Sequence, residues 1–218
     1  MTQKIIRGIR PTRMELLKLR RREILAQRGH DLLEEKRDAM IMEFLSMIER
    51  YRESRKVLGR LMEEAHARIL RARLAEGMAA MESAAQATPP CNEFSASERR
   101  VMGVRIPVIE KPASFRTALG RGYSYHQTGA ALDETADAFE KVMQQALVVG
   151  EQEGAIRRLA REIETTKRRV NALENVVIPR IHRTQKYIES HLEELAREDL
   201  FRRKRTKSII RRAEEGQG

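Results

Sequence analysis

The sequence predicts an all-α dominated fold: a long antiparallel two-helix coiled coil formed by N- and C-terminal helices, around an irregular middle segment with room for a short β-hairpin. Three observations predict it. Residues 12–76 contain no proline and residues 134 to about 212 contain only Pro179, so two long stretches are free to run as helix. In both, apolar residues return at alternating steps of three and four, which keeps one narrow stripe facing a partner helix. The composition agrees: 34% of the 218 residues are charged, Trp is absent, and Phe and Tyr number 5 and 4, too few for a large compact core. The segments are 1–76, an N-terminal coiled-coil helix with a basic tip; 77–133, the irregular middle; and 134–218, a C-terminal coiled-coil helix with a basic tip and short tail.

The first helix has a start signal. Thr12 follows Pro11 as an N-cap, and Glu15 stands three residues later to complete a capping box. From Phe44 the stripe is strict, through Ile48, Tyr51, Arg55, Leu58, Met62, Ala65, Ile69 and Ala72. Upstream it loosens to Leu25, Leu32, Leu33 and Met40, which implies a change of register or a third partner. At 1.5 Å per residue the first helix would reach roughly 95 Å, longer than a compact domain of this size allows.

The middle segment holds Pro89, Pro90, Pro107, Pro112 and five glycines, and Val104, Ile106 and Val108 alternate as a strand does. It can turn the chain around, and the simplest arrangement puts it at one end of the coil with both termini at the other. The second helix repeats the stripe through Ile156, Leu159, Ile163, Thr166, Val170, Leu173 and Val177, then Ile181, Thr184, Ile188, Leu192 and Leu195 after a shift of one position at Pro179. Proline there removes an amide donor, strands the Asn175 carbonyl and bends the helix. Gly150 and Gly154 each cost about 1 kcal/mol relative to Ala, which favours a break near residue 150. Arg55 and Thr166 are polar seam positions of the kind that fix register or face a third chain.

Charge is concentrated at the ends. Residues 1–28 carry nine basic and two acidic residues and residues 197–212 eight and two, while residues 29–196 sum to zero within a total of +11. An antiparallel hairpin brings Arg20, Arg21 and Arg22 together with Arg202, Arg203, Lys204, Arg205 and Lys207 in one basic tip. Such a tip suits an acidic protein ring or nucleic-acid phosphates, although Phe201 alone is available there to stack on bases.

Other chemistry is thinly represented. The single Cys91 excludes an internal disulfide and a cysteine-cluster metal site. His30, His66, His126, His182 and His191 show no i, i+4 pairing, and Gly120 and Gly122 lack the third glycine and the Gly-Lys-Ser or Gly-Lys-Thr of phosphate-cradling loops. No catalytic residue, cofactor or metal is expected. No stretch is apolar enough to span a membrane, and the N-terminus does not read as a secretory signal.

Several runs carry a family resemblance. Pro11-Thr12-Arg13 with Leu16-Leu17, then Arg28-Gly29-His30 and Lys36-Arg37-Asp38, is similar to the N-terminal helix of the D subunit of the archaeal and vacuolar-type (A/V-type) rotary ATPases. Thr165 to Glu174, Val177-Ile178-Pro179-Arg180, Tyr187-Ile188 and Phe201-Arg202 resemble the same family, as do Gly103-Val104 with Pro107 and Leu132-Asp133; where the family often carries an acidic or amide-bearing run, this chain has His182-Arg183. The resemblance implies a non-catalytic central-stalk rotor component of a proton- or sodium-translocating ATP synthase/ATPase. Its tip would sit in the ring of catalytic and non-catalytic A and B subunits, its lower part would bind the F and C subunits, and it would lie peripherally on the cytoplasmic face of the cell membrane. A basic coiled-coil nucleic-acid-binding protein and a coiled-coil component of a protein-export ATPase are the alternatives.

Overall fold

The computed structural model describes residue 6 and residues 8–88, 94–110, 122–123 and 128–215. Cys91, His126, Gly120, Pro89, Pro90 and Pro112 lie outside the described residues. The chain forms α1 (Arg13–Glu76), α2 (Met78–Ala87), β1 (Ser95–Val101), β2 (Val104–Glu110), α3 (Ala130–Ala172), a π-helical turn (Leu173–Val177) and α4 (Ile178–Glu215). Two long helical stretches around one small antiparallel sheet is the fold class that the sequence predicts.

Thr12 caps α1 as its position implies, its Oγ1 accepting the Glu15 amide at 3.3 Å. The reciprocal half of the capping box is absent: Glu15 takes Lys18 at 2.7 Å, and the Thr12 amide donates to the Arg10 carbonyl. At the other end Gly77, with φ 81°, leaves the right-handed helix and separates α1 from α2.

The chain divides into two compact units, residues 1–38 with 165–218, and residues 39–164. In the second unit α1 and α3 run antiparallel. The Glu76 carboxylate accepts the Leu132 amide at 3.3 Å, Arg68 donates to the Glu134 carbonyl at 3.3 Å, and Gln145 donates to the Ser54 carbonyl at 3.1 Å. Between these bonds Ala65, Ala138 and Val142 are buried together, with Leu58, Leu61 and Phe139 packed around them. In the first unit α1 pairs with α4 in the same sense, through Glu23 with Gln185 at 2.9 Å and Arg20 with Glu189 at 2.7 Å.

The hairpin forms where Val104, Ile106 and Val108 alternate, but not where the simplest arrangement puts it. Val104 and Ile106 pack with Met40, Ala155 and Leu159, flanked by Phe44 and Met47. Met40 is 36 residues from Glu76, or about 54 Å along α1, so the sheet lies far from the turn at the α1 and α3 ends. Arg158 fastens it from α3, donating to Glu98 at 2.9 Å and to the Arg105 carbonyl at 3.1 Å. The hydrogen bond and charge of Arg158, with Arg105 and Arg100 adding, hold the Glu98 carboxyl below its usual range despite partial desolvation. A carboxyl depressed in the folded state stabilises docking above its ordinary pKa, and that contribution is lost as pH falls through the lowered value.

No break occurs near residue 150, since α3 runs through Gly150 and Gly154. Gly154 has another reason to be glycine: a Cβ there would stand 2.9 Å from Cγ of Pro107 in β2. The proline bend is realised as the π-helical turn. Its closing bond runs from the Ile178 amide to the Leu173 carbonyl, five residues back, which places the wide turn directly before Pro179. One extra residue in that turn accounts for the one-position shift of the stripe. The turn buries nothing, and Leu173 within it is only half-buried.

Ile188→Ala, at a fully buried position, is therefore expected to cost about 2–5 kcal/mol in chemical denaturation of the full chain, and Leu173→Ala clearly less; equal losses would place the π turn inside the core. Gly154→Ala is expected to improve α3 propensity yet speed amide exchange at Ile106, because the hairpin must back away. Unchanged exchange there would contradict the close approach.

Candidate functional site

The basic residues at the ends of the chain form the candidate site, and its geometry starts from how α4 is held. Leu19, Ile181 and Ile188 form the buried centre, with Leu16, Ala26 and Leu192 packed against it. Two further residues complete it: Ile6 and Ile9, which precede α1. Gly8 has φ 84°, and the Ile6 amide donates to Thr184 Oγ1 at 3.3 Å, so the segment before α1 folds back onto α4. Of the looser upstream stripe, Leu25 and Leu32 are exposed and Met40 packs with the hairpin, so this return covers a different set of residues. The Thr184 hydroxyl itself donates to the Arg180 carbonyl at 2.7 Å and is fully used.

This return of the chain removes α1 from the end of α4. Arg13, the first residue of α1, lines a shallow groove with Leu195, Ala196, Asp199, Leu200 and Arg203 of α4. Beyond it residues 201–209 are all exposed. The eight basic residues consequently form two groups. Arg20, Arg21 and Arg22 stand beside the Gln185 to Glu189 turn, whereas Arg202 to Lys207 begin thirteen residues past Glu189, about 20 Å along α4. The first group is a collar on the helix pair and the second an arm of α4, and the groove shared by Arg13 and Arg203 brings the two basic segments together between them.

Arg20 is paired across the helices with Glu189, and Arg202 along α4 with Glu198 at 3.5 Å. Both pairs are solvent-exposed and contribute little to stability. Arg21, Arg22, Arg203, Lys204, Arg205 and Lys207 make no ion pair among the described residues. The Thr206 and Ser208 hydroxyls turn back to the Arg202 and Arg205 carbonyls. What remains outward on the arm is cationic, with Leu200, Phe201 and Ile209 exposed among the charges.

The candidate seam residues vary in depth. Leu159 and Val170 are buried; Phe44, Ile48, Tyr51, Leu58, Ile69, Ile156, Ile163 and Leu173 are half-buried. Met62 and Val177 are 41% and 38% exposed. Leu61 rather than Met62 packs beside Ala65, and Val177 is turned outward by the π turn. Thr166 is buried, while Arg55 lies exposed with its guanidinium donating to Tyr51 Oη at 3.0 Å. Leu19, Ile6 and Ile9 fall outside the periodic stripe; the signal available for the last two is their apolar pairing just ahead of the Pro11-Thr12 cap.

Among the described residues no cluster of three potential metal ligands occurs, and no helix is long and apolar enough to cross a membrane. His30 lies beside Asp31 at 3.1 Å, His66 Nδ1 meets the Met62 carbonyl at 2.8 Å, and His191 stacks on Tyr187.

Comparison with known proteins adds a consistent set of relatives. The family model for the ATP synthase D subunit matches residues 15–208. The D subunit of the A-type ATP synthase of Pyrococcus horikoshii is 47% identical over 202 residues, covering 93% of this chain and 94% of that one. Those of Methanobrevibacter smithii and Methanopyrus kandleri are each 44% identical, over 96% and 97% of this chain and 91% of theirs. With the family model spanning both helical stretches and the hairpin, and relatives aligned over nearly their whole length, the chain belongs to the ATP synthase D-subunit family.

Proposed function

We propose that this chain is the central-stalk rotor component of an A-type ATP synthase, transmitting torque between the ion-translocating membrane ring and the catalytic ring without a nucleotide site of its own. The observation that carries the reading, given the family, is the arm of α4: a helix that runs on past Arg13, cationic and exposed over residues 201–209, is shaped to enter a surrounding protein. Complementary charge guides such docking and suppresses wrong contacts, while Leu200, Phe201 and Ile209 supply apolar area once inside. In this reading the arm seats in the ring of A and B subunits, the F and C subunits bind the remainder, and the assembly sits peripherally on the cytoplasmic face of the cell membrane. The absence of aromatic residues other than Phe201 along the arm disfavours the nucleic-acid alternative.

The test is reconstitution with purified A and B subunits. Reversing charge with Arg202→Glu, Arg203→Glu and Arg205→Glu is expected to weaken ring assembly at least tenfold while leaving the folded chain intact by circular dichroism. Nanomolar binding of the wild-type chain to a defined RNA or DNA at physiological salt, with indifference to the ring, would overturn the rotor reading, because non-specific phosphate binding is typically only ~10⁻⁴ to 10⁻⁶ M there.

A further inference from the structure

The two edges of the β-hairpin are treated differently. Its register pairs Val101 with Val104 across a two-residue loop, Met102 and Gly103, both at positive φ (50° and 83°). In a hairpin closed this way the pair flanking the loop exchanges both hydrogen bonds, and the pattern then alternates. The backbone groups of Arg105, Pro107 and Ile109 therefore point away from β1, and those of Ala96, Glu98 and Arg100 point away from β2.

Helix α3 meets β2 at each of these outward positions. The Arg105 carbonyl accepts from Arg158 at 3.1 Å, Pro107 has no amide and presses on Gly154, and the Ile109 amide donates to Glu151 at 3.4 Å. Glu151, Gly154 and Arg158 lie on one face of α3, which runs along that edge. On β1 nothing comparable exists among the described residues. No hydrogen bond reaches the outward amides or carbonyls of Ala96, Glu98 or Arg100, residues 95–100 are all exposed, and the strand has no proline. An open edge of this kind is a template for another strand.

The charges beside that edge indicate what kind of strand. Arg100 stands directly opposite Arg105, a like-charge pair that is unfavourable as it stands. The one acidic residue of β1, Glu98, is already engaged by Arg158 at 2.9 Å and faces Arg105 at 3.9 Å. Arg99 and Arg100 add further positive charge. A carboxylate on an added strand would resolve the Arg100 and Arg105 repulsion, whereas a second copy of β1 would bring more arginine to it.

We infer that the outer edge of β1 accepts an extended, carboxylate-bearing strand of a partner protein as the third strand of this sheet. The inference rests on the rotor reading, and that reading narrows the partner further. A ladder of backbone hydrogen bonds cannot slide, so the partner turns with this chain and is not part of the surrounding ring.

Residue-resolved amide exchange on the free full-length chain and on the same chain within the assembled ATP synthase tests this. The amides of Ala96, Glu98 and Arg100 are expected to exchange at least tenfold more slowly in the assembly, while those of Ser97, Arg99 and Val101, already bonded within the hairpin, change little. Ala96→Pro removes one outward donor without touching the hairpin ladder, and Arg100→Glu reverses the charge; either is expected to lower the added protection at least fivefold. Equal exchange in free and assembled wild-type chain overturns the inference. Protection that appears in the free chain as its concentration rises, together with a dimer mass, overturns it in favour of self-pairing. A chain that fails to assemble removes the rotor reading as well, and the mass of the complex tells that failure apart from an assembled chain with an unprotected β1.

Discussion

In the cluster around Ala65 the helix pair closes over small side chains. Where α1 and α3 meet without help, the fully buried residues are Ala65 and Ala138 with Val142, and the larger Leu58, Leu61 and Phe139 stay partly open at the flanks. Wherever a large side chain is fully buried in a cluster, a third segment covers it. Met40 and Leu159 disappear beneath the hairpin, and Leu19 and Ile188 beneath the returning residues Ile6 and Ile9. Open flanks are a geometric property of a helix pair, and each compact unit answers it with a non-helical piece of chain. The hairpin and the N-terminal return are thus parts of the cores.

That constraint also explains how far the sequence could be read. Helix extent was legible because proline and the three-four apolar spacing are local signals: α1 starts at Arg13 after the Thr12 cap, and the shift in the stripe at Pro179 marks the π turn. Strand identity at Val104 to Val108 was legible for the same reason. Depth was not. Met62 and Leu61 are adjacent and equally apolar, and only the packing across the interface, which Leu61 joins and Met62 does not, separates them. The two glycines of α3 read as a weakness by propensity alone. Gly154 serves a contact with Pro107, 47 residues away in sequence, that no window of local sequence contains.

The basic site shows the same division. Which residues are cationic is plain in the sequence, and their gathering into one tip followed from assuming that α1 and α4 stay paired to their ends. Ile6 and residues 8–12 precede α1 and turn back onto α4, so the basic residues of α1 stand along the helix pair while those of α4 continue past Arg13. The collar is tied to its neighbour by Arg20 and Glu189, whereas Arg202, Thr206 and Ser208 of the arm bond along their own helix. The two groups are mechanically unlike even though they are chemically alike.

The arm's isolation has a thermodynamic consequence. A helical stretch whose side chains stay exposed draws chiefly on intrinsic propensity, and in water a segment of that length is marginal. Arg, Lys and Glu, which dominate α4 from Glu198 onward, are among the better helix formers, so the composition that supplies charge also keeps this segment wound. Part of the ordering entropy is nevertheless left unspent until the arm is enclosed. In the proposed rotor reading, completing that ordering lowers the net affinity per unit of buried area while keeping the fit specific, a balance that favours an element held in place without being locked there.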